Sequence, residues 1–318
     1  MRFGPRQCTV QVFSISSVMT LRSQLAKLAI RRWSLGGQWE ALHAPERDGR
    51  DWGLTFPSKL YCEMFDSAFP GLSKNPWRVT EKSCGTYFRH ISNDDLALVR
   101  QFIEGLRPCV IIKDLTDGSV ALGYRARKSD SGRLERTELG QLMHDAKPYD
   151  KSATESHRKA GQELARRMRT FVSSMPFYQN VDGFIAVPSS NPGKAFSLPR
   201  GFVHELAKRT GKLDLSAALS KSKTTPEIKN LAWEQKVNAL VGSVTVEKTK
   251  VGGKSIVVVD DLYQSGLTIN YIAGELRAAG AKQVFGLVAV KTLRNDDNVP
   301  KTAESPQTDD DLNDEDLF

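Results

Sequence analysis

One short stretch near the C-terminal end constrains the fold of this chain more than any other feature. Residues 256–268 read IVVVDDLYQSGLT. Four consecutive apolar residues without polar alternation predict a strand that is buried on both faces, as in a parallel sheet. Asp260 and Asp261 follow directly, at the end of the strand where open α/β sheets bind their ligands. The stretch therefore predicts a ligand site at the carboxyl edge of a parallel sheet.

The residues after the two acids favour an anionic ligand. Gly266 lets the backbone approach an anion closely, and Ser265 and Thr268 supply hydroxyl groups. A helix predicted from about Thr268 points its positive end at the same place. The acids suit ribose hydroxyls, or Mg²⁺ held through water. The alternative is a plain buried strand and a tight turn. Because adjacent acids there are costly without a ligand, we expect an open bend and carboxylates that are not paired with internal lysines.

This pattern resembles the signature of type I phosphoribosyltransferases, which places two acids after an apolar strand and a hydroxyl-rich glycine loop behind them. Gln264 replaces a usual hydroxyl residue of that loop, and Leu267 replaces a small one. The resemblance implies Mg²⁺ as cofactor, with Asp260 and Asp261 as catalytic and metal-binding residues. Tyr263 either stacks on a base or covers the loop. The implied phosphate-binding residues are Tyr263, Gln264, Ser265, Gly266, Leu267 and Thr268.

Three further segments are similar to the ComF family of phosphoribosyltransferase-like proteins. They read VPSS at 187–190, RGF at 200–202 and KSKTTP at 221–226, so that the resemblance covers roughly residues 137–294. The chain departs from that family in lacking a zinc ribbon and in carrying lysines for arginines in the loop of the third segment. Ile228 also stands there in place of a usual glutamine.

The ComF resemblance implies further site residues on two loops. Ser189, Ser190 and Lys194 would form the pyrophosphate loop, with Arg200 as a nearby catalytic residue. Lys223 and Lys229 would lie on a mobile loop that closes over the substrate. For all of these charged side chains the alternative is a solvated surface position. Asp261 would take a proton from the attacking nucleophile.

The order of elements predicts an α/β protein with a mostly parallel sheet flanked by helices, and the resemblance implies that this is the type I phosphoribosyltransferase fold. We predict three regions: an N-terminal α+β region of unknown type (1–136), the phosphoribosyltransferase-like domain (137–296) and a disordered acidic tail (297–318). Predicted helices cover 20–33, 93–106 (capped by Asn93 or Asp94), 153–174, 200–210, 231–240 and the stretch to 279. Predicted strands cover 182–187, 243–247 and 284–290, with two more around a turn within 109–123. Residues 125–136 are predicted to be a loop at the domain boundary, and 213–230 a mobile loop.

Charge and composition indicate the partners. The formal charge is +8, and since the last ten residues hold six acids and no base, the remaining chain carries +14. Such a body favours anionic partners, namely nucleotides, pyrophosphate or nucleic acid, and the alternative is a solvated basic surface. The resemblance implies phosphoribosyl pyrophosphate or a nucleotide, and the basic faces of the helices at 20–33 and 153–174 suit the phosphates of single-stranded DNA. The acidic tail ending in Leu317 and Phe318 resembles the tips of bacterial single-stranded-DNA-binding proteins, which dock on DNA-processing proteins. The alternatives are a solubilising tail or one that masks the basic body of its own chain.

Several classes of protein are disfavoured. No run of 18 apolar residues exists, so no membrane span is expected. Four cysteines without a C-x-x-C pair argue against a zinc ribbon and are typical of a reducing cytoplasm. The ComF resemblance implies a bacterial cell. The signature resemblance implies either an enzyme acting on phosphoribosyl pyrophosphate or a catalytically inactive sensor or regulator with the same site. The ComF resemblance implies, as a third function, an accessory protein for DNA uptake, processing or recombination.

Overall fold

A computed structural model describes residues 33–36, 42–43, 51–56, 64–66, 68–72, 75–79, 84–89, 91–148, 153–189, 197–222, 231 and 233–293. The strands are β1 (Trp33–Gly36), β2 (Leu42–His43), β3 (Asp51–Phe56), β4 (Asn75–Val79), β5 (Cys84–Arg89), β6 (Val110–Lys113), β7 (Ser119–Ala121), β8 (Ala126–Lys128), β9 (Leu134–Arg136), β10 (Gly183–Ala186), β11 (Leu213–Asp214), β12 (Leu219–Lys221), β13 (Val244–Val246), β14 (Ser255–Tyr263) and β15 (Gln283–Lys291). The helices are α1 (Asn93–Leu106), α2 (Glu138–Asp145), α3 (Glu155–Ser174), α4 (Pro176–Gln179), α5 (Leu198–Thr210), α6 (Trp233–Leu240), α7 (Lys248–Val251) and α8 (Leu267–Ala278).

A seven-stranded sheet of order β1-β6-β7-β15-β14-β10-β11 forms the centre. From β7 to β11 all neighbours are parallel, whereas β1 and β6 are antiparallel additions at one edge. The prediction of an α/β protein with a mostly parallel sheet is confirmed. In β14, Ile256 and Val258 pack in one hydrophobic cluster and Val257 and Val259 in another, and all four are inaccessible to solvent. Successive side chains thus point into two cores, as the apolar run predicts.

The central sheet crosses the predicted domain boundary at residue 136. Strands β1, β6 and β7 precede that residue, yet they pair into the same sheet as β15 and β14. The predicted boundary therefore does not separate two sheets. The prediction of a loop at 125–136 is wrong, because this segment contains the β8–β9 hairpin. Arg127 faces Glu135 across that hairpin, an opposite-charge pair that favours strands in a polar segment. A separate antiparallel sheet, β2-β3-β5-β4, belongs to the N-terminal region.

The predicted helices after residue 90 are observed with small changes at their ends. Helix α1 begins at Asn93 as predicted, but its N-cap is Ser92, whose Oγ accepts the Asp95 N–H at 3.0 Å. Helix α3 begins two residues later than predicted and α5 two residues earlier. Helix α5 ends at Gly211, which adopts the left-handed conformation (φ 71°) that glycine tolerates.

The prediction of a loop at 213–230 is wrong for its first half, which contains β11, a 3₁₀ turn (Ser216–Ala218) and β12. Residues 223–230 lie outside the described residues. Several predictions fall outside the described residues: the helix at 20–32, the site residues Ser190, Lys194, Lys223 and Lys229, and the acidic tail after residue 296. Trp33, the last residue of that predicted helix, is instead the first residue of β1. Among the helices that the structure describes, none combines the length and the apolar character that crossing a bilayer requires.

Candidate functional site

The two acids lie within β14, not after it. The strand was predicted to end at Val259, but its pairing with β15 continues through Asp260, opposite Val288, to Tyr263, opposite Lys291. The reason is the length of β15, which offers backbone partners up to Lys291. Both acids are half-buried, and the Asp261 N–H donates to the Asp260 carboxylate at 2.8 Å.

The acid pair carries an electrostatic penalty. Burial, and then the neighbouring charge of Asp261, raises the pKa of Asp260 well above the usual value of a carboxyl group. Lys147, just after α2, forms an ion pair with Asp261, with 2.9 Å between Nζ and Oδ2. The expectation of carboxylates without a lysine partner is therefore wrong for Asp261. The two side chains keep 30% and 18% of their surface exposed, so this ion pair lies at the rim of the site and not in the core.

The bend behind β14 presents backbone donors. Gly266 is the N-cap of α8 in the left-handed conformation (φ 71°), and Leu267 is the first residue of the helix. The N–H groups of Thr268 and Ile269 therefore have no acceptor within the helix, and no described residue outside it supplies one. Together with the 12-residue helix behind them, these donors suit an anion. The side chains of Ser265 and Thr268 are half-exposed beside them.

Tyr263 differs from both of its predicted roles. It is 2% exposed, and its hydroxyl donates to Asp114 Oδ2 at 3.0 Å. It therefore neither stacks on a base nor covers the loop from outside, but packs beneath Gly266 on the inner side of the bend. Leu267 is fully buried, so it offers only its backbone, whose N–H donates to Ser265 Oγ at 3.3 Å. Gln264 is half-buried at the edge of the bend.

The segment after β10 lies beside the acids. Strand β10 is parallel to β14, and the Val187 N–H donates to the Val259 carbonyl at 2.9 Å. Pro188 and Ser189 therefore leave the sheet next to Asp260. The Ser189 carbonyl accepts a hydrogen bond from Lys221 Nζ at 3.1 Å, and burial lowers the pKa of this lysine.

Arg200 is not joined to the acid pair. It lies exposed in the first turn of α5, and within the described residues no hydrogen bond or ion pair links it to Asp260 or Asp261. The structure thus brings together the acids, the bend and Ser189, whereas Arg200 lies outside this group of contacts.

Sequence reasoning did not assign Lys147 or Lys221 to the site. Lys147 lies within the range that resembles the ComF family. Its position there was the sequence feature that could have indicated a role at the site. Lys221 opens the KSKTTP segment, but the resemblance implied roles only for the later Lys223 and Lys229.

The residues fit Mg²⁺ only together with a ligand. Among the described residues, no group of three or more His, Cys, Asp or Glu side chains could hold a metal ion by itself. Two carboxylates at the mouth of a phosphate site are nevertheless the usual protein share of a magnesium site, since phosphate oxygens and water complete the coordination.

The basic face of α3 is largely paired with acids. Arg166 donates to Glu163 at 2.6 and 2.7 Å, and Arg167 bonds both Glu163 and Glu138. Arg169 contacts Glu205 of α5. These ion pairs reduce the positive charge that the helix presents to a nucleic acid.

No family model matches the chain, and no curated protein matches it. The solved structures that match include one titled the allosteric regulatory enzyme of purine biosynthesis (15% identity, TM-score 0.33) and the glutamine phosphoribosylpyrophosphate amidotransferase from B. subtilis complexed with ADP and GMP (13% identity, TM-score 0.33). Each similarity covers 76% of this chain and 45% or 46% of the other, so the chain matches less than half the length of either enzyme. TM-scores this low carry no conclusion about fold or function.

Proposed function

We propose that this chain is a ComF-like protein of the type I phosphoribosyltransferase class, which binds phosphoribosyl pyrophosphate or a nucleotide with Mg²⁺ at the carboxyl ends of β10 and β14. One observation carries the proposal. A half-buried pair of acids and the N-terminal turn of α8, with donors that have no acceptor among the described residues, follow each other on one strand–bend–helix unit. A 5-phosphorylated sugar offers hydroxyls to the acids and a phosphate to the donors.

Each part of the ligand has a set of partners in this proposal. The ribose hydroxyls bind Asp260 and Asp261, and the 5′-phosphate binds the backbone N–H groups of Thr268 and Ile269 with the hydroxyls of residues 265 and 268. The pyrophosphate binds Ser189, with Ser190, Lys194 and Arg200 as the further groups that the ComF resemblance implies. Lys223 and Lys229 belong to the loop that would close over it. When bound, Mg²⁺ neutralises charge on the pyrophosphate.

In a transfer reaction, a nucleophile bonds to C1 of the ribose while the C1–O bond breaks and its electron pair leaves with pyrophosphate. The protein contributes position and charge complementarity. Proton removal from the nucleophile falls to the acid pair. Asp261 would take that proton, as the sequence pattern suggests, once Lys147 no longer pairs with it.

Calorimetric titration with phosphoribosyl pyrophosphate and Mg²⁺ tests the proposal. The wild type is expected to bind, and a variant with Asp260→Ala and Asp261→Ala is expected to lose at least tenfold in affinity. Asp94→Ala with Asp95→Ala is the matched control, because these adjacent acids are exposed in the first turn of α1. Equal binding by the wild type and the site variant would overturn the proposal.

A catalytically inactive sensor is the second candidate, and the Lys147–Asp261 ion pair favours it because it occupies the carboxylate that catalysis would use. Binding without pyrophosphate release, with each common nucleobase offered as acceptor, would support the sensor. Release of pyrophosphate with any of them would support the enzyme.

An accessory role near DNA is the third proposal and rests on the +14 charge of the chain without its acidic tail. Salt-dependent filter binding of single-stranded DNA to the full chain and to a variant lacking residues 309–318 tests it. If the full chain and the deletion variant do not bind single-stranded DNA at low salt, the role is excluded. If the deletion of residues 309–318 increases the affinity for DNA, the tail masks the basic surface.

A further inference from the structure

We propose that Asn270, Tyr263 and Asp114 are positioning residues, which hold the bend after β14 in the geometry that accepts a phosphate. This inference rests on the function proposed above and deepens it. It assigns control of the phosphate loop to a buried network that reaches into the N-terminal region of the chain.

Asn270 connects three segments through one side chain. It is fully buried, and its Nδ2 donates to the Gly266 carbonyl at 2.7 Å and to the Tyr263 hydroxyl at 3.2 Å. Its Oδ1 accepts the Leu115 N–H at 2.7 Å. The bend, helix α8 and the turn between β6 and β7 are therefore tied together by hydrogen bonds that a buried amide must make.

Tyr263 and Asp114 complete the network on the core side of the bend. The Tyr263 hydroxyl donates to Asp114 Oδ2, while Asp114 Oδ1 accepts the N–H and the hydroxyl of Thr116 at 2.9 and 2.7 Å. A side chain at Gly266 would overlap the Tyr263 hydroxyl and ring. The Tyr263 ring thus limits how closely Gly266 can approach the core. The hydrogen bonds of the Tyr263 hydroxyl to Asp114 and Asn270 hold the ring in place.

The network acts on the phosphate donors through the Gly266 carbonyl. That oxygen accepts both the Asn270 backbone N–H at 3.0 Å and the Asn270 side chain at 2.7 Å, which fixes the peptide plane at the start of α8. The next donors, the N–H groups of Thr268 and Ile269, are thereby held in place before any ligand arrives. Donors that need no reorganisation on binding give higher affinity than donors on a loose loop.

Tyr263→Phe tests the inference, because it removes one hydroxyl and keeps the ring beneath Gly266. The probes are ribose 5-phosphate and inorganic pyrophosphate, titrated separately with Mg²⁺. We expect the affinity for ribose 5-phosphate to fall on the order of tenfold, and that for pyrophosphate to stay unchanged, since Ser189 lies outside the network. Tyr271→Phe is the matched control: this buried tyrosine of α8 accepts a hydrogen bond from Gly242 at 2.9 Å, away from the bend.

The outcomes separate the inference from the proposed function. If the wild type binds neither probe, the proposed function fails and the inference with it. If the wild type binds and Tyr263→Phe binds ribose 5-phosphate equally well, the positioning role alone is overturned. Equal losses in Tyr263→Phe and Tyr271→Phe, or equal losses for both probes, would mean a general loss of stability and would also overturn it. If Tyr263→Phe does not fold, Asp114→Asn replaces it, with the same selective loss expected.

Discussion

The acid pair and the bend lie five residues apart on one strand–helix unit, and they are stabilised in opposite ways. In the bend, the buried polar groups of Tyr263 and Asn270 are hydrogen-bonded. In the acid pair, burial and a like charge raise the pKa of Asp260, and a lysine at the rim is the partner of Asp261. The bend is thus fixed by the core, whereas the acids keep an electrostatic penalty that a ligand would relieve. Local penalties of this kind are typical of functional sites.

Gly266→Ala should have the largest effect, because it disrupts the well-packed bend. The added methyl group meets the Tyr263 hydroxyl and also stands on a left-handed backbone, so we expect a loss of about 2 to 4 kcal/mol in the free energy of unfolding. Urea denaturation measures it. Gly253→Ala is the matched control, with a similar φ of 73° but open space around the new methyl group, and should lose only about 1 kcal/mol. Equal losses would contradict the packing of the bend.

Asp260→Asn should stabilise the protein, because it removes the electrostatic penalty of the acid pair. The native state holds the Asp260 proton more tightly than the unfolded state, so the wild type loses stability as pH rises from the usual carboxyl pKa through the raised one. The variant lacks this loss. The free energy of unfolding of Asp260→Asn should equal that of the wild type at pH 4 and exceed it by about 1 kcal/mol at pH 8, as measured by urea denaturation. Asp130→Asn, in the exposed turn of the β8–β9 hairpin, should show no such rise. A pH-independent advantage of Asp260→Asn would contradict the assignment.

Lys147→Met should have the smallest effect on stability. Because the ion pair with Asp261 is partly exposed, we expect a change under about 1 kcal/mol in the free energy of unfolding. The effect on cation binding should be clearer: without the competing ammonium group, half-saturation with phosphoribosyl pyrophosphate should require less Mg²⁺. Lys159→Met, on the exposed side of α3, is the control. A higher Mg²⁺ requirement in Lys147→Met would show that the lysine binds the ligand instead.

Strand β14 and its acids could be predicted from the sequence, whereas their partners elsewhere in the chain could not. An uninterrupted apolar run defines a strand buried on both faces, so β14 and the acids beside its carboxyl end follow from local pattern. The partners of the bend do not, because Tyr263 bonds Asp114, which is 149 positions away. Lys147 is hidden for the same reason, since its pairing with Asp261 depends on how α2 packs on the sheet. The β8–β9 hairpin was missed because its strands are short and polar, without apolar alternation.

Crystallography of the protein with ribose 5-phosphate and Mg²⁺ would show whether the bend binds the phosphate and the acid pair binds the sugar. We predict phosphate oxygens within about 2.7 to 3.2 Å of the backbone nitrogens of Thr268 and Ile269. We also predict sugar hydroxyls on Asp260 and Asp261, with Lys147 displaced from its carboxylate partner. A phosphate bound elsewhere, with the Lys147–Asp261 pair intact, would contradict this prediction.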